Sequence, residues 1–214
     1  MVLAKWPAAG RAKRRLGAAI GSRDSTMLAR AFLLDTAGLA NRCAPIATTV
    51  VFAPPSATER ISRAFPGARC VAQPRGSFGT RLAHAIDAGL AHAHAVVLIG
   101  TDAPTLDDRI VDAAFTKLDQ GADCVLGPSC DGGYYLIGCR ARLPESVFRE
   151  MPWSTATVFA MTRDRVRAAG LRLAVLPERY DVDDAASLAL LRADRAGLRR
   201  APATAAALRE LGAA

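Results

Sequence analysis

The chain has 214 residues, 51% of them apolar and 22% charged, with a formal net charge of +8. This length and mixture describe a globular chain able to bury a core, and no apolar run approaches the roughly 20 residues of a membrane helix. The positive charge is mostly arginine, scattered along helices and in an Ala/Arg-rich stretch over 192–209, with no interleaved aromatics. Nucleic-acid binding is therefore not expected.

The five cysteines, Cys43, Cys70, Cys124, Cys130 and Cys139, form no C-x-x-C pair, so neither a disulfide framework nor a zinc site is expected. Reduced thiols and the lack of a secretory apolar segment near the first residues predict a cytoplasmic protein. With no internal repeat and no linker, one domain is expected over 1–214.

In chain order, a short strand over 2–4 leads into a Gly/Lys/Arg loop. A helix is predicted over 25–42, capped by Ser22 or Asp24. The β-branched run over 46–53 reads as a buried strand ending at Pro54 and Pro55. A short helix over 58–65, a short strand over 68–72 and a helix over 79–92 follow. In the last of these Leu82, Ile86 and Leu90 share one face.

The run AVVLIG over 95–100 is the clearest strand, apolar throughout as in a sheet covered on both faces. Next come a helix over 106–118, strands over 123–126 and 134–138, a helix over 155–168, a strand over 171–176, and a loop leading into a final helix. This alternation predicts a Rossmann-like three-layer α/β sandwich, with a mostly parallel sheet and helices on both faces. Ligands of such sheets bind beyond the carboxyl ends of the strands.

Four loops at predicted strand ends carry chemistry. The first, from Lys5 to Leu16, offers Gly10 for close backbone approach and several cations, including Lys13 and Arg15. It suits a di- or triphosphate but matches neither a Walker A loop nor G-x-G-x-x-G. Two of the chain's three lysines, Lys5 and Lys13, lie in it. Asp102, in GTDAP after the clearest strand, suits a divalent cation, while Thr105 and Asp108 make a capping box for the next helix. Asp131-Gly132-Gly133 reads as a turn, with one of Tyr134 and Tyr135 facing the site and the other the core. Asp181, Asp183 and Asp184 crowd one loop. Asp181 and Asp183 share a side and suit a second metal ligand, and Asp184 suits a helix cap. The three histidines, His84, His92 and His94, read as surface helix residues, and the absence of G-x-S-x-G disfavours a serine hydrolase.

Five motifs in register (Lys5 to Leu16, Gly100 to Pro104, Asp131 to Gly138, Trp153 to Thr155 and Asp181 to Asp184) resemble those of a bacterial family of GT-A-type nucleotide-diphospho-sugar transferases. More distantly the chain is similar to the molybdenum-cofactor and phospholactate guanylyltransferases. The resemblance implies a GT-A-like fold and a Mg²⁺ or Mn²⁺ ion on Asp102 and either Asp181 or Asp183. It implies nucleotide phosphates embraced by Lys5, Gly10, Lys13 and Arg15. The base or ribose would meet the turn containing Gly76 and Gly79, and a small-molecule acceptor would meet Asp131, Gly132, Gly133, Trp153, Ser154 and Thr155. Lys13, Arg15 and Asp102 would carry catalysis. Two positions depart from the family pattern, Arg14 where it has Thr and Phe78 where it has Asp or Asn. The family's usual naming puts glycosyl transfer from a nucleoside diphosphate sugar first. The dense cations of the first loop favour the alternative, nucleotidyl transfer from a triphosphate with loss of pyrophosphate. A nucleotide-binding protein without catalysis is a reading of another class.

Overall fold

The computed structural model describes residues 1–43 and 47–213. The strands are β1 (Val2–Lys5), β2 (Thr49–Ala53), β3 (Arg69–Ala72), β4 (Val96–Ile99), β5 (Cys124–Pro128), β6 (Tyr134–Cys139) and β7 (Leu173–Val175). Between them lie α1 (Arg14–Ile20), α2 (Ser22–Arg42), α3 (Thr58–Ala64), α4 (Phe78–Leu90), α5 (Asp108–Asp119) and α6 (Val158–Ala168). The chain continues through α7 (Ala185–Ala193), α8 (Arg195–Leu198) and α9 (Pro202–Gly212).

The seven strands form one sheet in the order β3-β2-β1-β4-β6-β5-β7. Successive side chains of a strand point to opposite faces, and the central strands are apolar on both. Val50, Phe52, Val97, Ile99 and Val125 pack on one side against Leu33 of α2, Ile61 of α3 and Leu118 of α5. Val51, Val96, Leu98, Leu126 and Ile137 pack on the other against Leu82 and Ile86 of α4 and Val166 of α6. The expected three-layer α/β sandwich is thus built by period-two alternation, with helices on both faces.

All strand pairings are parallel except those of β6, which runs antiparallel to both β4 and β5. This reversal decides where the chemistry can lie. It brings the start of β6, with the Asp131-Gly132-Gly133 turn, to the same edge as the carboxyl ends of β4 and β5. Gly127 of β5 sits under the Tyr135 ring, where a Cβ would overlap the aromatic carbons.

Several local expectations need correction. Residues 14–20 form a helix, not loop, because Leu16 is fully buried against Leu28 and Phe32 of α2. The residue before α2 is Gly21, with no side-chain cap, so neither Ser22 nor Asp24 caps it. The Thr105–Asp108 capping box does not form. Asp107 caps α5 by accepting from the Arg109 N–H, while the Thr105 hydroxyl bonds the Tyr180 hydroxyl at 3.0 Å. Asp184 does cap α7, in a reciprocal box with Ser187. The first residue of the strand expected over 46–53 lies outside the described residues; β2 begins at Thr49.

A third core joins α1, α2, α7 and α9 through Leu16, Phe32, Leu188 and Ala207. Asp35 of α2, only 5% exposed, accepts the backbone N–H groups of Ala203 (3.0 Å) and Thr204 (2.7 Å) and so fixes the first turn of α9. Among the described residues no helix is long and apolar enough to cross a membrane.

Candidate active site

At the carboxyl ends of β1 and β4 the loops form a cleft of about 490 Å³, continuous with a second lobe of about 260 Å³. Both lobes share Asp102, Asp181, Asp183 and Tyr135. Three connections set their relative positions. Asp102 follows β4 directly. The backbone N–H of Val182 donates to the Asp102 carbonyl at 2.9 Å, so the neighbours of Val182, Asp181 and Asp183, flank Asp102. Arg179 N–H to Pro128 O (3.0 Å) and Cys130 N–H to Arg179 O (3.0 Å) carry the same segment past the end of β5.

Lys13 lies at the junction of the lobes. Its ammonium is 2.7 Å from Asp102 Oδ1 and 3.2 Å from Asp183 Oδ1, and its side chain is only 6% exposed. Burial alone would lower its pKa, but the two carboxylates outweigh this and hold it above the ordinary lysine value. Lys13 also adopts φ 46 and ψ 57, left-handed for a residue with a Cβ. Such a conformation costs of order 1 kcal/mol or more and persists only where surrounding contacts impose it. Arg15 stands further out, 3.7 Å from Asp183 Oδ2.

Asp181 makes neither of these ion pairs. Burial pushes its carboxyl up to about 6, and the nearby Asp131 charge adds to the rise. Among the described residues no three His, Cys, Asp or Glu side chains are grouped to hold a metal. The Asp102–Asp183 pair nonetheless has the donor chemistry of a hard-cation site, since it already brackets a positive charge.

The larger lobe is lined by Lys5, Arg11 and Lys13 at the β1 loop, and by Gln73, Phe78 and Arg81 across it. The smaller lobe holds Arg15, Asp131, Gly133, Tyr134, Trp153, Ser154 and Thr155. There Trp153 meets Phe78 edge-on, with ring centroids 4.6 Å apart. Asp131 Oδ1 accepts the Gly133 N–H at 2.8 Å, which closes the turn on itself. Gly132 has φ +85, and a Cβ there would collide with the backbone of Ala156. Tyr135 is 6% exposed, its hydroxyl donating to Pro177 O at 3.0 Å, and the Tyr134 hydroxyl is buried; both tyrosines touch the cleft, so the two do not divide between site and core as expected.

The expected site residues thus converge, apart from Gly10, Gly76, Gly79 and Gly132, which line neither lobe, whereas Gly133 lines the smaller one. Gly10, with φ +70, has open space where a Cβ would stand and lines neither lobe. Gly76 and Gly79 also lie outside the lining. Gly79 is small because Phe148 and Trp153 pack where its Cβ would be. Arg11, Gln73 and Arg81 were not expected. Gln73 and Arg81 read in sequence as ordinary surface positions of a strand end and a helix, and only the position of Gln73 just past β3 was available as a signal.

The bacterial family described as "Uncharacterized protein conserved in bacteria (DUF2064)" matches residues 36–155. A 3-phospho-D-glycerate guanylyltransferase of Phenylobacterium zucineum (strain HLK1) is 35% identical over 189 residues, covering 84% of this chain and 78% of that protein. The chain belongs to this family. A solved structure from Desulfovibrio desulfuricans G20, described as of the nucleotide-diphospho-sugar transferase type, superposes with a TM-score of 0.88 and 31% identity. It covers 99% of this chain and 94% of its own. A CMP:2-keto-3-deoxy-manno-octonic acid synthetase complexed with CTP shares the fold at TM-score 0.55 and 14% identity, over 92% of this chain and 98% of that one. The protein is a transferase of the nucleotidyl and nucleotide-sugar class, as its motifs predict.

Proposed function

We propose that this transferase moves a nucleotidyl group from a nucleoside triphosphate to a small-molecule acceptor. The observation that carries the reading is the division of one cleft into two lobes that meet at Asp102, Lys13 and Asp183. Four cations, Lys5, Arg11, Lys13 and Arg81, face the larger lobe together with Asp102, Asp181 and Asp183, a mixture appropriate to a triphosphate and a divalent cation. The named guanylyltransferase relative supports the same choice. Glycosyl transfer, placed first on the family's naming, becomes the second reading.

In the proposed reaction an acceptor oxygen enters from the lobe of Asp131, Trp153, Ser154 and Thr155 and attacks the α-phosphorus in line. The bond from that phosphorus to the bridging oxygen of the β-phosphate breaks, and its electron pair leaves with pyrophosphate. Lys13 exchanges carboxylate partners for phosphate oxygens, and Lys5 and Arg11 balance charge on the departing group. Gly132 and Asp131 hold the acceptor wall rigid, and the Phe78–Trp153 pair screens the lobe from water. A divalent cation, Mg²⁺ or Mn²⁺, fits the donor chemistry of Asp102 and Asp183, with Asp181 beside them. When bound it neutralises phosphate charge and orients the donor. The whole chain acts as one catalytic domain, and its five free thiols suit a reducing cytoplasm.

The test is ³¹P NMR of protein with each nucleoside triphosphate, Mg²⁺ and 3-phospho-D-glycerate as the first acceptor tried. Pyrophosphate release that disappears in Asp102→Asn supports the reading. Consumption of nucleoside diphosphate sugars with no pyrophosphate from any triphosphate overturns it in favour of glycosyl transfer.

A further inference from the structure

The two lobes of the cleft share carboxylates but not cations. Lys5, Arg11, Lys13 and Arg81 line the larger lobe, whereas among the described residues Arg15 is the one cation lining the smaller. Arg15 stands 3.7 Å from Asp183 Oδ2 with its side chain 59% exposed, so its charge is partly answered already and mostly in water. Against it the smaller lobe sets four carboxylates, Asp102, Asp131, Asp181 and Asp183. A divalent cation on Asp102 and Asp183 still leaves Asp131 and Asp181 facing the lobe. Of the four, Asp131 belongs to the smaller lobe alone.

The rest of the lobe is apolar. Leu98 of β4 and Ile137 of β6 are direct partners across the sheet, and with Leu82 of α4 and Val158 of α6 they line it. Each is at most 4% exposed, so this wall is part of the core. Phe78 and Trp153 pack against the same cluster. A pocket with an apolar wall and a few placed polar groups holds a ligand divided in the same way. A phosphate entering here meets charges of its own sign, and like charges across a contact weaken binding by about a hundredfold or more. An uncharged hydroxyl instead donates to a carboxylate without that penalty. An apolar body on the wall gains about fourfold in affinity for each methylene-sized surface removed from water.

We propose that the acceptor is an uncharged alcohol carrying an apolar ring or chain, and that the smaller lobe excludes phosphorylated acids. The inference rests on the nucleotidyl-transfer reading and adds the acceptor class to it. That class departs from 3-phospho-D-glycerate, which brings both a phosphate and a carboxylate. The alcohol oxygen bonds to the α-phosphorus, and its proton passes to solvent. The bond from that phosphorus to the bridging oxygen breaks, and the electron pair leaves with pyrophosphate. The apolar body rests on the Leu98–Ile137 wall and selects the acceptor without touching the reacting atoms.

Ligand-observed NMR titration of the whole protein tests this, with Mg²⁺ and inorganic pyrophosphate added to occupy the cations of the larger lobe. The probes are 3-phenoxy-1,2-propanediol, glycerol 3-phosphate and 3-phospho-D-glycerate, which share a three-carbon frame. The phenoxy diol is expected to bind at least about tenfold more tightly than either phosphate. Asp131→Asn keeps an oxygen for the Gly133 N–H and should narrow that gap at least about threefold. Trp153→Leu, at a residue lining only the smaller lobe, should weaken the phenoxy diol at least about threefold. Either phosphate binding as tightly as the phenoxy diol would overturn the inference. So would a gap unmoved by Asp131→Asn, or phenoxy binding unmoved by Trp153→Leu, which places the ring elsewhere. Pyrophosphate release with 3-phospho-D-glycerate and with no uncharged alcohol sinks this inference alone. Sugar-nucleotide consumption with no pyrophosphate from any triphosphate sinks the nucleotidyl reading, and the titration still decides what the lobe holds.

Discussion

Lys13→Met separates folding from chemistry at the centre of the cleft. Methionine keeps the packing of the lysine stem beside Phe32 and removes only the ammonium, whose nitrogen lies 5.9 Å from that ring centroid. At the observed 2.7 and 3.2 Å, each ion pair has a gross attraction of roughly 5–6 kcal/mol at an effective dielectric of about 20. Several kcal/mol of that offset the desolvation of an ammonium that is 6% exposed. The two carboxylates left behind are 53% and 39% exposed, so water can solvate both. The net loss should then be about 1 kcal/mol, a fall in Tm of about 2–4 °C for a chain of this size. Transition-state stabilisation has no such substitute, and kcat/KM for pyrophosphate release should fall at least about a hundredfold. Without nucleotide, Mn²⁺ binding followed by electron paramagnetic resonance should tighten by about fivefold or more, because the competing internal cation is gone. Scanning calorimetry and a coupled pyrophosphate assay on the same preparations decide it. A Tm fall beyond 10 °C, or activity within threefold of wild type, would refute the reasoning.

Three other substitutions test separate parts of the structure. Gly132→Ala forces a Cβ into the backbone of Ala156 at φ +85, so a loss of about 3 kcal/mol or more is expected by urea denaturation, together with loss of acceptor-dependent turnover. Asp35→Ala removes the acceptor for two N–H groups of α9 and should cost about 2 kcal/mol, with amide exchange of Ala203 and Thr204 accelerating before that of the sheet. Asp181→Asn concerns pH. The folded carboxyl is raised to about 6 from 3.8, so the native state binds the extra proton and wild-type stability falls as pH rises from about 4 to 6. In EDTA the variant should therefore melt higher than wild type at pH 7–8 and gain nothing at pH 4. An equal gain at both pH values would mean that ionisation is not the cause.

The parts of this molecule legible in its sequence are those where one local property decides the outcome. β4 was readable because both of its faces are buried, leaving an unbroken apolar run, and Asp102 was readable because it follows that run. The direction of β6 was not: YYLIG is apolar in either orientation, and only the short Asp-Gly-Gly turn hints that the chain doubles back. α1 was missed because it buries one residue, Leu16, among arginines and alanines, too little for a periodicity to show. The partners of Lys13 were each named as site residues, but their direct pairing joins positions 170 residues apart and depends on the Val182–Asp102 backbone bond. Gln73 and Arg81 are further from reach, since what distinguishes them is the bonding of the Gln73 amide to the carbonyls of Ala4 and Val51 and of Arg81 to Gln73.

The place of β1 in the sheet has a consequence for how the molecule assembles. β1, the earliest of the seven described strands in chain order, sits in the middle, pairing Val2 with Val50 on one side and with Ile99 on the other. It stays unfinished until chain about 100 residues downstream has left the ribosome, whereas β5 and β6 meet their partners across a short turn. Distant parallel pairings close slowly, so the early kinetic events belong to the β5–β6 ribbon and its helices. Lys13 hangs from β1 and Asp102 from β4, so the junction of the two lobes forms only when this central gap closes. Binding competence should therefore appear with the last cooperative step of folding, after most of the helical signal has already developed.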